Sequence, residues 1–339
     1  MSRTLIVAPN WIGDALLAQP LFSRLREARP GERIDALAPP WTAPVLGRMP
    51  EIDEVIQVPF NHGELKIGAR WRLGRRLKER GFARAVVLPN SWKSALVPFF
   101  AGIPERIGYV GEARYGLLNV VHKLDEKALP LMAERYAKLA EDPAEPPQRP
   151  LPRVRLRVDE ANLIINIGRL GLDRSRPVVA MCPGAEFGPA KRWPTRHFAA
   201  LARHLNARGK AVWLFGSQKD RPIADEIVAL SDNACTNLCG RTNLAGAIDL
   251  MSVAACVVTN DSGLMHIAAA LGRPIVALYG SSSPAHTPPL SKNARIVTLN
   301  VECSPCYQRE CPLGHFKCMN DLEPQRVAAE IEKLETTAG

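Results

Sequence analysis

The chain reads as an α/β protein made of two doubly wound, Rossmann-like domains. Three observations predict this. Short apolar runs alternate with helix-length amphipathic segments in both halves. The alternation stops at one proline-rich stretch and restarts beyond it. The length, 339 residues, exceeds the roughly 250–300 residues that a single core usually carries.

In the first half Thr4–Pro9 (TLIVAP) is a short apolar run suited to a buried strand. Ala15–Arg29 follows as one helix, with Leu17, Leu21 and Leu25 one turn apart. Ile34–Ala38 and Glu54–Pro59 are the next strands, Leu65–Arg80 is a helix, and Ala83–Pro89 is a fourth strand. Strands separated by helices pair in parallel, with the helices covering both sheet faces. Asp142–Pro152 holds five prolines in eleven residues. Proline lacks a donor and fixes φ, so this stretch is neither helix nor central strand. It is expected as a stiff linker between residues 1–150 and 151–339; the alternative is a surface loop within one domain. The second half begins with a helix near Asp159–Leu170. Strands follow at Val178–Cys182, Ala211–Phe215, Cys256–Asn260, Pro274–Tyr279 and Ala294–Leu299. Helices fall at Thr195–Arg208, Lys219–Leu230 and Ser262–Leu271, with Glu323–Thr336 as a C-terminal helix.

Composition narrows the function classes. Hydrophobic content of 46% and charged content of 23% are those of a globular protein, not a disordered one. Eight cysteines are too sparse for a disulfide scaffold and point to a reducing cytoplasm. The start shows no signal-peptide pattern, and Ala95–Ile103 is far short of a membrane span. The 44 Lys and Arg against 34 Asp and Glu give a net charge of +10, which implies an anionic partner. Part of it is concentrated in Lys66–Arg84, where eight basic residues stand against Glu79 alone. Leu73 and Leu77 should face the core there, leaving Arg70, Arg72, Arg75, Arg76 and Arg80 on the other faces. The segment is either an ordinary solvated helix or a landing surface for anionic lipid or phosphorylated sugar. No nucleic-acid motif accompanies it.

Loops at strand ends carry the chemistry. Asn10-Trp11-Ile12-Gly13-Asp14 places Asp14 at a helix start, as an N-cap or as a general base. Cys182–Pro194 (CPGAEFGPAKRWP) combines two glycines with Lys191 and Arg192 just before a helix. That combination suits a phosphate, although the Gly-Lys-Ser/Thr ending of a Walker loop is missing. Phe215–Asp220, with Ser217, and Leu238–Leu244 are further glycine turns. Thr259–His266 (TNDSGLMH) puts Ser262, Gly263 and Leu264 at a helix N-terminus. Asp261 is there a cap or an acceptor for sugar hydroxyls, and His266 follows one turn on. No Gly-x-Gly-x-x-Gly follows the first strand, and Gly-x-Ser-x-Gly and His-Glu-x-x-His are absent. Dinucleotide dehydrogenases, hydrolases and zinc proteases are thereby disfavoured. Cys303, Cys306, Cys311 and Cys318, with His315 among them, fall within sixteen residues. They are clustered thiolates for a metal or structural thiols of a loop; the spacing lacks paired Cys-x2-Cys knuckles.

Several of these stretches together resemble a known family. They are Pro9–Asp14 (PNWIGD), Leu88–Leu96 (LPNSWKSAL), Arg114–Asn119 (RYGLLN), Cys182–Pro194, and Asn260–His266 (NDSGLMH). Across essentially the whole chain the sequence is similar to the ADP-heptose:lipopolysaccharide heptosyltransferases. The resemblance implies a GT-B fold with an N-terminal acceptor domain and a C-terminal donor domain whose last helix packs back on the first. It implies inverting transfer of L-glycero-D-manno-heptose from ADP-heptose to the first heptose of the Kdo-lipid A core. Transfer to another core position, or from another nucleotide sugar, is the alternative, and a non-catalytic nucleotide-sugar-binding protein the more distant one. By matching motif positions Asp14 is the catalytic base, Lys191 contacts the diphosphate, Asp261 holds heptose hydroxyls, and Ser262, Gly263 and Leu264 offer backbone contacts. Arg192, Ser217 and His266 complete the expected donor site; Asn10, Lys93, Arg75, Arg76 and Arg114 are the expected acceptor contacts. No cofactor or metal is expected for the transfer. The expected location is the cytoplasm, peripheral at the inner face of the inner membrane.

Overall fold

In the computed structural model, residues 2–60 and 63–338 are described. They divide into two compact units, Met1–Arg157 and Val158–Gly339. Each is built on one six-stranded, all-parallel sheet.

The strands of the first unit are β1 (Arg3–Val7), β2 (Arg33–Ala38), β3 (Glu54–Gln57), β4 (Arg84–Val87), β5 (Glu105–Tyr109) and β6 (Val120–His122). Those of the second are β7 (Val178–Cys182), β8 (Ala211–Leu214), β9 (Thr236–Asn237), β10 (Cys256–Asn260), β11 (Ile275–Tyr279) and β12 (Ala294–Thr298). The spatial orders are β3-β2-β1-β4-β5-β6 and β12-β11-β10-β7-β8-β9. Counted from the first strand of each unit, both are the doubly wound order 3-2-1-4-5-6. Chain direction across each sheet therefore reverses beside the unit's first strand, between β1 and β4 and between β7 and β10. Loops leaving the carboxyl ends of that strand pair diverge and leave a crevice. Both sheets are apolar on both faces: Leu5, Ile6, Val86 and Val87 in one, and Val179, Met181, Val257 and Val258 in the other, are fully buried.

Several expectations are corrected. The helix expected as Ala15–Arg29 is two, Ile12–Leu17 and Gln19–Ala28, because Pro20 cannot donate to the preceding turn and sits in the first turn of the second helix. The first unit extends to Arg157 rather than ending at 150. Gln19 donates to the Arg155 carbonyl at 2.8 Å and accepts from its N–H at 2.9 Å, and Arg157 N–H donates to the Arg48 carbonyl at 2.8 Å. The proline-rich stretch is a strap of that unit, not a free linker. Arg24 pairs with Glu141 and donates to the Gln148 carbonyl, Lys138 donates to the Asp142 carbonyl, and Arg149 donates to Glu134. The C-terminal helix, Pro324–Ala338, packs on the helix Thr195–Ala207 and on β11 and β12. Its stripe of Val327, Ile331 and Leu334 is buried in the core of the second unit.

Candidate functional site

In the first unit the crevice between β1 and β4 is a cavity of about 230 Å³. Pro9, Asn10, Trp11 and Asp14 line it from the loop after β1, and Leu88, Pro89 and Asn90 from the loop after β4. Tyr109, Leu124, Met132, Arg135 and Tyr136 complete the lining. Asp14 stands in the first turn of its helix and Trp11 holds the N-cap position, so Asp14 is not the cap. It is only partly buried. Strong burial, with the Asp14 charge adding to it, holds the Tyr136 hydroxyl well above the usual tyrosine range. The structure thus puts a carboxylate, an amide and a phenol in one crevice, with Arg135 beside them. Arg135 and Tyr136 were missed from the sequence because the short helix that carries them, Met132–Lys138, was itself unrecognised.

Four of the expected acceptor contacts lie outside the lining of that cavity. Arg114 is 1% exposed and does not line the cavity. Its guanidinium donates to the carbonyls of Pro89 and Tyr109 at 2.6 and 2.7 Å and to the Ser94 hydroxyl at 3.1 Å. It is an internal strut under the loop after β4, and burial lowers its pKa to about 10. Lys93 donates to the Gly63 carbonyl at 2.9 Å, outside the cavity lining. Arg75 and Arg76 are exposed on the helix Ile67–Lys78, beside exposed Arg72, Trp71 and Lys78. Arg70, expected on a solvent face, is buried. It donates to the carbonyls of Leu65, Glu64 and Lys93 and lies 3.9 Å from the Phe60 ring centroid.

In the second unit the corresponding crevice lies between β7 and β10. The loop after β7 carries Lys191, and the loop after β10 begins with Asp261. Lys191 Nζ donates to Asp261 Oδ2 at 2.5 Å, and the Ser282 hydroxyl donates to the same oxygen at 2.6 Å. Asn260 ties the two loops together: its Nδ2 donates to the Pro183 carbonyl at 2.8 Å and its Oδ1 accepts from Trp193 N–H at 3.1 Å. Lys191 Nζ sits 5.0 Å from the Phe187 ring centroid. Ser262 is the N-cap of the helix Gly263–Ala270, so the N–H groups of Gly263 and Leu264 point out of its first turn. His266 is buried one turn on. Burial lowers its pKa to about 4, Lys191 adding to the shift and Asp261 opposing it.

Lys191, Asp261, Ser262, Gly263, Leu264 and His266 are therefore brought together. Ser217 is not joined to them by any bond: its hydroxyl and N–H both donate to Asp220 Oδ2 at 2.8 Å, a local turn cap. Arg192 donates to the Ala185 carbonyl at 3.3 Å and braces its own loop. Ser282 and Asn260 were not foreseen. Asn260 lies in a quoted motif, but its clamping role depends on a loop 77 and 67 positions away.

A cation paired with a carboxylate beside a helix N-terminus suits a diphosphate joined to a polyhydroxylated group. A second Rossmann unit with a carboxylate in its own crevice suits activation of a hydroxyl. Fold and sites together define the class of nucleotide-sugar transferases with the GT-B fold. The model of glycosyltransferase family 9 (heptosyltransferase) matches residues 70–317. The chain is 47% identical over 341 residues to lipopolysaccharide heptosyltransferase 2 of Escherichia coli K12, covering 98% of both chains. It is 43% identical over 342 residues to lipooligosaccharide heptosyltransferase 2 of Haemophilus influenzae, covering 97% of this chain and 98% of that one. The solved structure of E. coli ADP-heptose LPS heptosyltransferase II matches with a TM-score of 0.90 at 44% identity, covering 100% of this chain and 99% of that one. The chain belongs to glycosyltransferase family 9, the heptosyltransferases, and is a glycosyltransferase.

Proposed function

We propose that the chain transfers L-glycero-D-manno-heptose from ADP-heptose to the first heptose of the Kdo-lipid A inner core, with inversion. The observation that carries this is the Lys191–Asp261 pair at the helix N-terminus in the second-unit crevice. An ammonium has three donors, so Lys191 can keep Asp261 and still reach a phosphate oxygen. As the bond from the anomeric carbon to the β-phosphate oxygen breaks, negative charge grows on the departing ADP. Lys191 and the N–H groups of Gly263 and Leu264 stabilise that charge. Asp261 accepts hydrogen bonds from heptose hydroxyls. Asp14 takes the proton from the acceptor hydroxyl as its oxygen bonds to the anomeric carbon. Arg135 and Asn10 orient the acceptor in the cavity around Asp14.

The acceptor is a lipid-linked anionic glycan, and no described helix is long and apolar enough to cross a membrane. Peripheral contact with the anionic inner face of the inner membrane, through Arg72, Arg75, Arg76 and Trp71, is part of the proposal. A panel of defined acceptors tests the reading. Turnover of ADP-heptose only on monoheptosylated Kdo-lipid A supports it. Turnover on heptose-free or diheptosylated acceptor instead assigns another core position. Turnover only with a different nucleotide sugar refutes the donor.

A further inference from the structure

The proposed transfer assigns nothing to the thiols of the segment between β12 and the C-terminal helix. The other four cysteines, Cys182, Cys235, Cys239 and Cys256, are buried. Cys303, Cys306, Cys311 and Cys318 instead line a single cavity of about 20 Å³, room for one atom-sized guest. Cys318 lies within electrostatic reach of the other three. Phe316 N–H donates to Cys311 Sγ at 3.4 Å. A backbone N–H donating to sulfur is an element of the outer shell of a bound thiolate. Residues 299–316 form neither helix nor strand, so little regular structure holds the four thiols together.

We propose that Cys303, Cys306, Cys311 and Cys318 form a four-thiolate site for one thiophilic divalent cation, zinc or ferrous iron. Binding converts four thiols and the ion into a tetrathiolate complex and releases four protons to solvent. Among the described residues no three His, Cys, Asp or Glu side chains already stand as a ligand set. The ion therefore draws the thiols inward by side-chain rotation as the cavity closes on it. His315 is not needed: its Nδ1 accepts Lys317 N–H at 3.0 Å, and four thiolates complete a tetrahedron.

The site bears on the donor loop. The stretch between Cys306 and Cys311 carries Arg309, whose carbonyl accepts Ala190 N–H at 3.0 Å. The Arg309 guanidinium lies 5.4 Å from the ring centroid of Phe187, the ring that Lys191 also approaches. The bound ion thus fixes the backbone on which Lys191 stands.

The test uses the full chain purified without chelators from cells supplied with both zinc and iron. Elemental analysis is expected to show about one ion per chain, and which metal it is separates the two sources. Removing the ion and adding cobalt(II) is expected to give a thiolate-to-cobalt charge-transfer band. The four loop thiols should react with a thiol reagent only after chelation. Cys303→Ser/Cys306→Ser should lose the ion, and His315→Ala, which leaves every thiol in place, should keep it. Metal-free protein whose loop thiols react at once, with no cobalt–thiolate band, overturns the proposal. Loss of the ion in His315→Ala overturns the four-thiolate set.

Discussion

Lys191→Met removes the ammonium but keeps most of the stem over Phe187. The side chains of Lys191 and Asp261 are 17% and 6% exposed, so the pair is largely desolvated. Stripping one partner from a buried pair costs about 3–5 kcal/mol. Here the Ser282 hydroxyl still bonds to Asp261 Oδ2, so a loss of about 2 kcal/mol in stability is expected. The catalytic loss is separate. A preorganised group facing charge that develops in the transition state is worth about 2.7–4 kcal/mol, or 10²–10³ in rate. Urea unfolding reads the first effect, and kcat/KM for ADP-heptose reads the second. Asp261→Asn added to Lys191→Met removes the orphaned charge. The double variant should regain most of the stability but not the turnover. Recovery of kcat/KM together with stability would refute the argument, because Lys191 would then act only as the partner of Asp261.

The other predictions test other parts of the site. Asp14→Asn should lower kcat by about 10²–10⁴, the range for a lost general base, while calorimetric binding of ADP-heptose stays unchanged; near-normal kcat excludes Asp14 as base. Arg75→Glu/Arg76→Glu should raise KM for acceptor in anionic vesicles and leave the donor KM alone, and matched effects on both substrates would count against a landing surface. His266 falls from 6.5 to about 4 in the folded chain because burial disfavours its charge. Its folded pKa lies below its unfolded one, so the penalty is absent above pH 6.5 and grows as pH falls toward 4, reaching about 3 kcal/mol. His266→Gln should flatten the urea midpoint between those pH values, and an unchanged slope would contradict this.

Much of the architecture was legible because the central strands are short unbroken apolar runs. β1, β7, β10 and β11 have no other reading once helices are seen to separate them. β5 and β6 were not legible: ERIGY mixes charge with glycine, and β6 is three residues long. β5 is fixed by pairing with β4, and β6 by pairing with β5, rather than by their own pattern. Arg70 offered a signal that went unused. It lies three and seven residues before Leu73 and Leu77, on their buried stripe, and the carbonyls of Glu64 and Leu65 just before its helix, with that of Lys93, make its burial tolerable. Arg114 gave no such signal, since the carbonyls that satisfy it come from the loop after β4 and the end of β5, which meet only in the fold. Asp14, Lys191 and Asp261 could be named from quoted motifs. That Asp14 lies at the direction change of one sheet and the other two at that of the second emerges only from strand order.

The central claim is that a hydroxyl activated at Asp14 displaces ADP held at Lys191 in one inverting step. NMR of the linkage formed from ADP-heptose and monoheptosylated Kdo-lipid A tests it most directly. The account predicts one new heptose per ADP released, with anomeric configuration opposite to the donor's. A retained configuration, or ADP release without a new glycosidic bond, would contradict it.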